Sequence, residues 1–133
     1  MKVDGSCHCG AIAFEADIDP DRVRICHCSD CQKLSGASFR VVAPCAEADF
    51  HLLQGEPKVY VKTAESGARR LQVFCGDCGS PLYATSEGAG GRTFGIRVGV
   101  LTQRDQLTPK RQFWHRSAQP WLPELPGTIA ETQ

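Results

Sequence analysis

Apolar and polar residues alternate with a period of two along several short stretches, the pattern of strands that bury one face. Ala11-Ile12-Ala13-Phe14-Glu15-Ala16, Lys58-Val59-Tyr60-Val61-Lys62 and Thr93-Phe94-Gly95-Ile96-Arg97-Val98 carry it, and Phe39 to Ala43, Arg70 to Phe74 and Leu82 to Thr85 read as further strands. Turn chemistry divides them at Gln54-Gly55-Glu56-Pro57, Glu65-Ser66-Gly67 and Ser86-Glu87-Gly88-Ala89-Gly90-Gly91. Only Ser29 to Leu34 reads as a helix, with Ser29 as its N-cap and Gly36 stopping it. Beyond Leu107 the chain is expected to be irregular. Pro120, Pro123 and Pro126 stiffen that tail, and Trp114, Trp121 and Leu122 are expected to pin it to the body. The pattern predicts a mainly β chain, with residues 1–133 forming a single domain.

Composition narrows the partners. With 41% hydrophobic residues in 133, the chain supports one modest core. Lys plus Arg and Asp plus Glu are equal at 15 each, so no basic excess points to nucleic acid and no polybasic run to a membrane surface. Small molecules are the expected partners. The start Met-Lys-Val-Asp-Gly-Ser-Cys carries no apolar signal core, and no apolar run approaches membrane-spanning length, so the expected compartment is the reducing cytoplasm. There, clustered cysteines bind metal more readily than they form disulfides.

Seven of the eight cysteines fall into three clusters: Cys7-His8-Cys9, Cys26-His27-Cys28-Ser29-Asp30-Cys31 and Cys75-Gly76-Asp77-Cys78. Thiolates one or two residues apart can converge on one tetrahedral ion. Cys7 and Cys9 share a face if the segment is extended, and Cys75 and Cys78 bracket a glycine-rich knuckle. Together they make a closed four-thiolate set that ties distant segments and couples metal binding to folding. Cys26, Cys28 and Cys31 come from one continuous stretch and leave one coordination position open, as catalytic zinc sites do. The alternative is a fourth protein ligand. Cys45 is the first candidate, with His27, Asp30, His51 and His115 behind it, although a lone cysteine after Pro44 also reads as a small buried side chain.

These motifs resemble the glutathione-dependent formaldehyde-activating enzyme family, which also includes centromere protein V. The resemblance is carried by Gly5-Ser6-Cys7-His8-Cys9-Gly10, Cys26-His27-Cys28-Ser29-Asp30-Cys31 and Phe74-Cys75-Gly76-Asp77-Cys78-Gly79-Ser80-Pro81-Leu82. Gln54-Gly55-Glu56-Pro57, Ser117-Ala118-Gln119-Pro120-Trp121 and Leu125-Pro126 extend it over nearly the whole chain. It implies a zinc-containing β-tent domain similar to methionine sulfoxide reductase B, with two zinc ions. Cys7, Cys9, Cys75 and Cys78 would hold the structural zinc, and Cys26, Cys28 and Cys31 the catalytic one. The implied activity is a carbon-sulfur lyase of the S-(hydroxymethyl)glutathione synthase type, which adds glutathione or a similar thiol to formaldehyde or another small aldehyde. An open zinc can lower the pKa of a bound thiol or polarise an aldehyde oxygen. Three thiolates leave a divalent ion net negative, which favours the thiol role.

Fold does not fix function, and two other classes stay open: a non-catalytic two-zinc binding module and a thiol redox protein. Against the second, the glycine-flanked Cys75 and Cys78 read as a metal knuckle. Arg69 and Arg70 are candidates for holding glutathione carboxylates, and His27, His51 and His115 for moving protons. His8 and Asp30 flank ligands and read as polar support. Gly88, Gly90 and Gly91 lack the context of a phosphate loop.

Overall fold

The computed structural model describes residues 1–133. Its strands are β1 (Lys2–Ser6), β2 (Ala13–Asp17), β3 (Arg24–Cys26), β4 (Arg40–Ala46), β5 (Phe50–Gln54), β6 (Lys58–Thr63), β7 (Arg69–Phe74), β8 (Pro81–Ser86), β9 (Thr93–Arg97), β10 (Arg111–Phe113) and β11 (Ile129–Ala130). One helix, α1 (Ser29–Ser35), follows β3. Strands β1, β2 and β5 form a three-stranded antiparallel sheet, and the other eight form a second sheet in the order β11-β10-β3-β4-β9-β8-β7-β6. That second sheet is antiparallel except at its end, where β10 runs parallel to both β3 and β11. The chain is mainly β, as its alternation predicts.

Alternation also builds the core. β2 buries Phe14 and Ala16 and exposes Glu15 and Asp17, so one face of the small sheet is apolar. Phe50 of β5 stacks on Phe14 with centroids 4.9 Å apart and meets Tyr83 of β8 at 4.9 Å and Phe94 of β9 at 5.2 Å. Tyr83 and Phe94 stack at 4.3 Å, so four rings join the two sheets. Gly5 permits the approach of β1, because a Cβ there would lie 2.5 Å from the Phe14 ring and 2.7 Å from the Val100 carbonyl oxygen.

The structure departs from the sequence expectations where elements are short or held from a distance. The strand expected from Ala11 begins at Ala13, because the Cys7 amide donates to the Ile12 carbonyl and closes a turn before it. β1, β3 and β5 appear where no strand was expected. The tail is not irregular throughout: β10 and β11 add to the large sheet. Trp121 does not pin it, being 67% exposed. Polar contacts hold the tail instead, with Gln112 Nε2 donating to Thr128 Oγ1 at 2.7 Å and Gln119 Nε2 to Gln32 Oε1 at 2.7 Å. Pro44 is tolerated within β4 because β3 pairs only with Arg40 to Val42, so the residue without an N–H lies past that neighbour.

Phe14 is 1% exposed and touches both sheets through Phe50. Phe14→Ala should destabilise the fold by about 3–5 kcal/mol, and Phe14→Leu by much less. Urea unfolding measures both, and equal small losses would mean that the ring does not join the sheets.

Candidate metal centres

The sulfurs of Cys7, Cys9, Cys75 and Cys78 all lie within 4.8 Å of one another. Cys7 and Cys9 stand 3.6 Å apart, and Cys9 and Cys75 3.8 Å. Sulfurs at the corners of a tetrahedron with metal–sulfur bonds of about 2.3 Å are separated by roughly 3.8 Å, so the set fits a zinc-sized ion. Cys7 and Cys9 reach it from a turn after β1, rather than from the extended segment expected. Cys75 and Cys78 reach it from a knuckle between β7 and β8. The knuckle closes because Gly79 adopts φ +82° and donates its amide to the Cys75 carbonyl at 2.8 Å. The hydroxyl of Ser80 lies 3.2 Å from Cys78 Sγ and pulls that thiol down to about 5, and it also accepts from the His8 amide at 3.0 Å. Ile12 N donates to Cys7 Sγ at 3.2 Å. Such donors suit thiolates.

The second group contains Cys26, Cys28 and Cys31, again within 4.8 Å of one another, with no fourth His, Cys, Asp or Glu atom in the set. Cys26 ends β3, Cys28 is the N-cap of α1, and Cys31 lies in the first turn. Cys28, not Ser29, caps the helix: its Sγ accepts from the Cys31 amide at 3.3 Å. A helix start also favours negative charge on that sulfur. Hydrogen bonds from Cys26 and then Cys31 push the Cys28 thiol down, while those with Cys28 and then Cys31 push Cys26 up. Gln32 holds the loop, its Nε2 donating to the carbonyls of His27 at 2.7 Å and Ser117 at 3.1 Å.

None of the other fourth-ligand candidates joins the three sulfurs. Cys45 is buried in the core and directs its Sγ at the carbonyls of Asp17 and Ala46, and burial raises its thiol pKa. Asp30 forms an ion pair with Lys62 at 2.8 Å. His51 lines a separate cavity on the small sheet with Asp4, Glu15, Asp17 and Asp49. His27 is fully buried, its Nε2 2.8 Å from Gln112 Oε1. Thr128 donates to the Leu125 carbonyl and accepts from Gln112 Nε2, so Gln112 presents its oxygen and His27 Nε2 carries the hydrogen. His115 packs edge-on to that ring at 5.6 Å.

Beside the three sulfurs lies a cavity of about 440 Å³, within the range of small-molecule sites. The strand register explains its walls. Cys26 pairs across from Arg40, and Arg24, Val42 and Arg97 form a row over β3, β4 and β9. Gly95 lies across from Ala84 and Ala84 from Gln72, and the missing side chain of the first and the methyl of the second leave the middle hollow. Arg70 and Lys62 pair at the far edge. All ten line the cavity, with Phe113 and Trp114 at the end nearest the cysteines. Arg97 is lowered to about 9 by burial and then by Arg40, and so stays charged at neutral pH. Arg70 belongs to the wall, whereas Arg69 pairs with Glu87 at 2.9 Å away from it. Arg24, Arg40, Lys62, Gln72 and Arg97 were not foreseen. The available signal was a charged residue inside each of two apolar strands, Phe39-Arg40-Val41 and Ile96-Arg97-Val98.

A family model described as glutathione-dependent formaldehyde-activating enzyme matches residues 2–117. A Halomonas elongata protein named "Putative glutathione-dependent formaldehyde-activating enzyme" is 31% identical over 90 residues, which cover 62% of this chain and 55% of the relative. The chain thus matches about half the length of that relative. A crystal structure of a Rhodobacter sphaeroides protein shares the fold, with a TM-score of 0.62 at 22% identity, over 80% of this chain and 96% of the other.

Both sulfur groups fit a metal, but only the first joins distant segments. Elemental analysis of protein purified under reducing, chelator-free conditions should find up to two zinc ions. Cys75→Ser should lower thermal stability sharply, whereas Cys28→Ser should keep most of it and lose one ion. Equal collapse of the two variants would contradict this asymmetry.

Proposed function

Because the chain belongs to the glutathione-dependent formaldehyde-activating enzyme family, we propose that it adds glutathione, or a thiol like it, reversibly to formaldehyde or another small aldehyde. It would act as a zinc-dependent carbon-sulfur lyase of the S-(hydroxymethyl)glutathione synthase type. Residues 1–133 would form one zinc-containing β-tent domain similar to methionine sulfoxide reductase B, a reading supported by the mainly β, two-sheet architecture. Cys7, Cys9, Cys75 and Cys78 would hold a structural zinc, and Cys26, Cys28 and Cys31 a catalytic one. A reducing compartment such as the cytoplasm would keep these thiols available.

The observation that carries the proposal is a set of three sulfurs facing a cavity with no fourth protein ligand beside them. Zinc bound there supplies Lewis acidity, which lets a substrate thiol ionise near neutral pH or withdraws electrons from an aldehyde oxygen. The protein adds positioning and charge. Arg24, Arg40, Arg70 and Arg97 make the cavity cationic, which favours an anionic sulfur over a neutral thiol. Confinement of thiol and aldehyde in one cavity removes the encounter penalty. The sulfur attacks the carbonyl carbon, the C–S bond forms as the C=O π pair moves to oxygen, and that oxygen takes a proton in place of the one lost from sulfur. Reversal breaks the same bond.

Cobalt-substituted protein tests the proposal. Reduced glutathione should alter the visible spectrum and oxidised glutathione should not, and formaldehyde should be consumed only with thiol and metal together. Cys28→Ser should abolish the response and Cys45→Ala leave it unchanged. A silent native protein that becomes responsive as Cys45→Ala would identify Cys45 as a fourth ligand and overturn the catalytic reading.

A further inference from the structure

The cavity wall is short of negative charge. Arg24, Arg40, Arg70 and Arg97 line it together with Lys62, yet its one carboxylate, Asp30, is already paired with Lys62. None of the four arginines has a carboxylate partner anywhere in the chain. Arg40 and Arg97 are only 5% and 9% exposed, and charges so buried are ordinarily paired. They share one side-chain acceptor, Gln72 Oε1, which receives Arg40 Nη1 at 3.4 Å and Arg97 Nη2 at 3.0 Å. Arg97 Nη1 donates to the Gly95 carbonyl at 3.2 Å, while Arg40 Nε and Nη2 and Arg97 Nε have no acceptor. Three thiolates on a divalent ion carry one net negative charge, too little for four guanidiniums. The chain as a whole is neutral, so the excess is local.

Building on the functional reading above, we infer that Arg40 and Arg97 form a carboxylate-binding subsite on the cavity floor, with Arg24 and Arg70 at its rim, so that the thiol substrate is selected by its charge as well as its sulfur. Guanidinium forks match carboxylates in two-point hydrogen bonds. Arg40 stands directly across from Cys26, and opposed residues on antiparallel strands are near neighbours, so one small molecule can present a carboxylate to the arginines and its sulfur to the cysteines. The two arginines position the substrate and do not enter the bond change. Trp114 lines the same cavity in a left-handed conformation, φ 55°, with the Arg116 guanidinium 4.6 Å over its ring, and supplies a reporter.

The test uses the zinc-loaded full chain with S-methylglutathione, whose sulfur is blocked, and with its dimethyl ester. Tryptophan fluorescence should respond to the acid and not to the ester, weaken with added salt, and lose its response in Trp114→Phe. Arg40→Gln and Arg97→Gln should each weaken binding of the acid on the order of tenfold or more, with Arg97→Lys partly retaining it. Equal binding of acid and ester, no binding of either, or unchanged affinity in folded glutamine variants overturns the subsite. If those variants fail to fold, the acid and ester comparison on the native protein decides alone. Charge-selective binding without aldehyde consumption supports the subsite and overturns the functional reading. Equal turnover with neutral 2-mercaptoethanol does the reverse.

Discussion

The two-faced alternation of the large sheet is the constraint on which the rest of the molecule depends. Successive residues of β4 and β9 point to opposite sides, so Ala43, Cys45, Phe94 and Ile96 enter the core while Arg40, Val42, Gly95 and Arg97 face the cavity. A slip of one residue would send guanidiniums into the aromatic cluster and apolar groups to the site. The register that packs the core therefore also sets Arg40 opposite Cys26 and opens the hollow above Gly95 and Ala84.

Placing charge on that second face has a cost. Two buried guanidiniums with a shared amide oxygen are a poor way to stabilise a sheet, and apolar side chains there would serve stability better. The offsetting contributions come from elsewhere: the four-ring contact between sheets, and a sulfur cluster that brings residues 7 and 9 to residues 75 and 78. A metal ion held there would close a long loop and would stabilise the folded state by being bound only in it. The neutral overall charge conceals an uneven distribution, with the cationic cavity on the large sheet and Asp4, Glu15, Asp17 and Asp49 grouped on the small one.

Local chemistry was legible in the sequence, and long-range pairing was not. The two cysteine groups follow from spacings of one and two intervening residues, and the structure brings together the same sets. Six strands follow from alternation to within a few residues. β3 and β10 escape because three residues are too few to display a period, and they exist because neighbours hold them. Trp121 misled because size suggested burial, whereas backbone and amide hydrogen bonds secure the tail. Arg40 and Arg97 lie within strands that alternation predicts, on the face away from the core. A charge between apolar neighbours marks each of them, but only β3, β8 and α1 beside them turn that side into a cavity wall.

One sulfur set would be closed, and the other would have a place for a substrate. Zinc K-edge absorption on the two-zinc protein addresses this difference directly, because sulfur and lighter ligands lie at different distances. The expected result is an average between three and four sulfurs per zinc, with a lighter ligand completing the shell, rising to four sulfurs when glutathione is added. Four sulfurs per zinc before any thiol is present, or a shell that glutathione leaves unchanged, would contradict it.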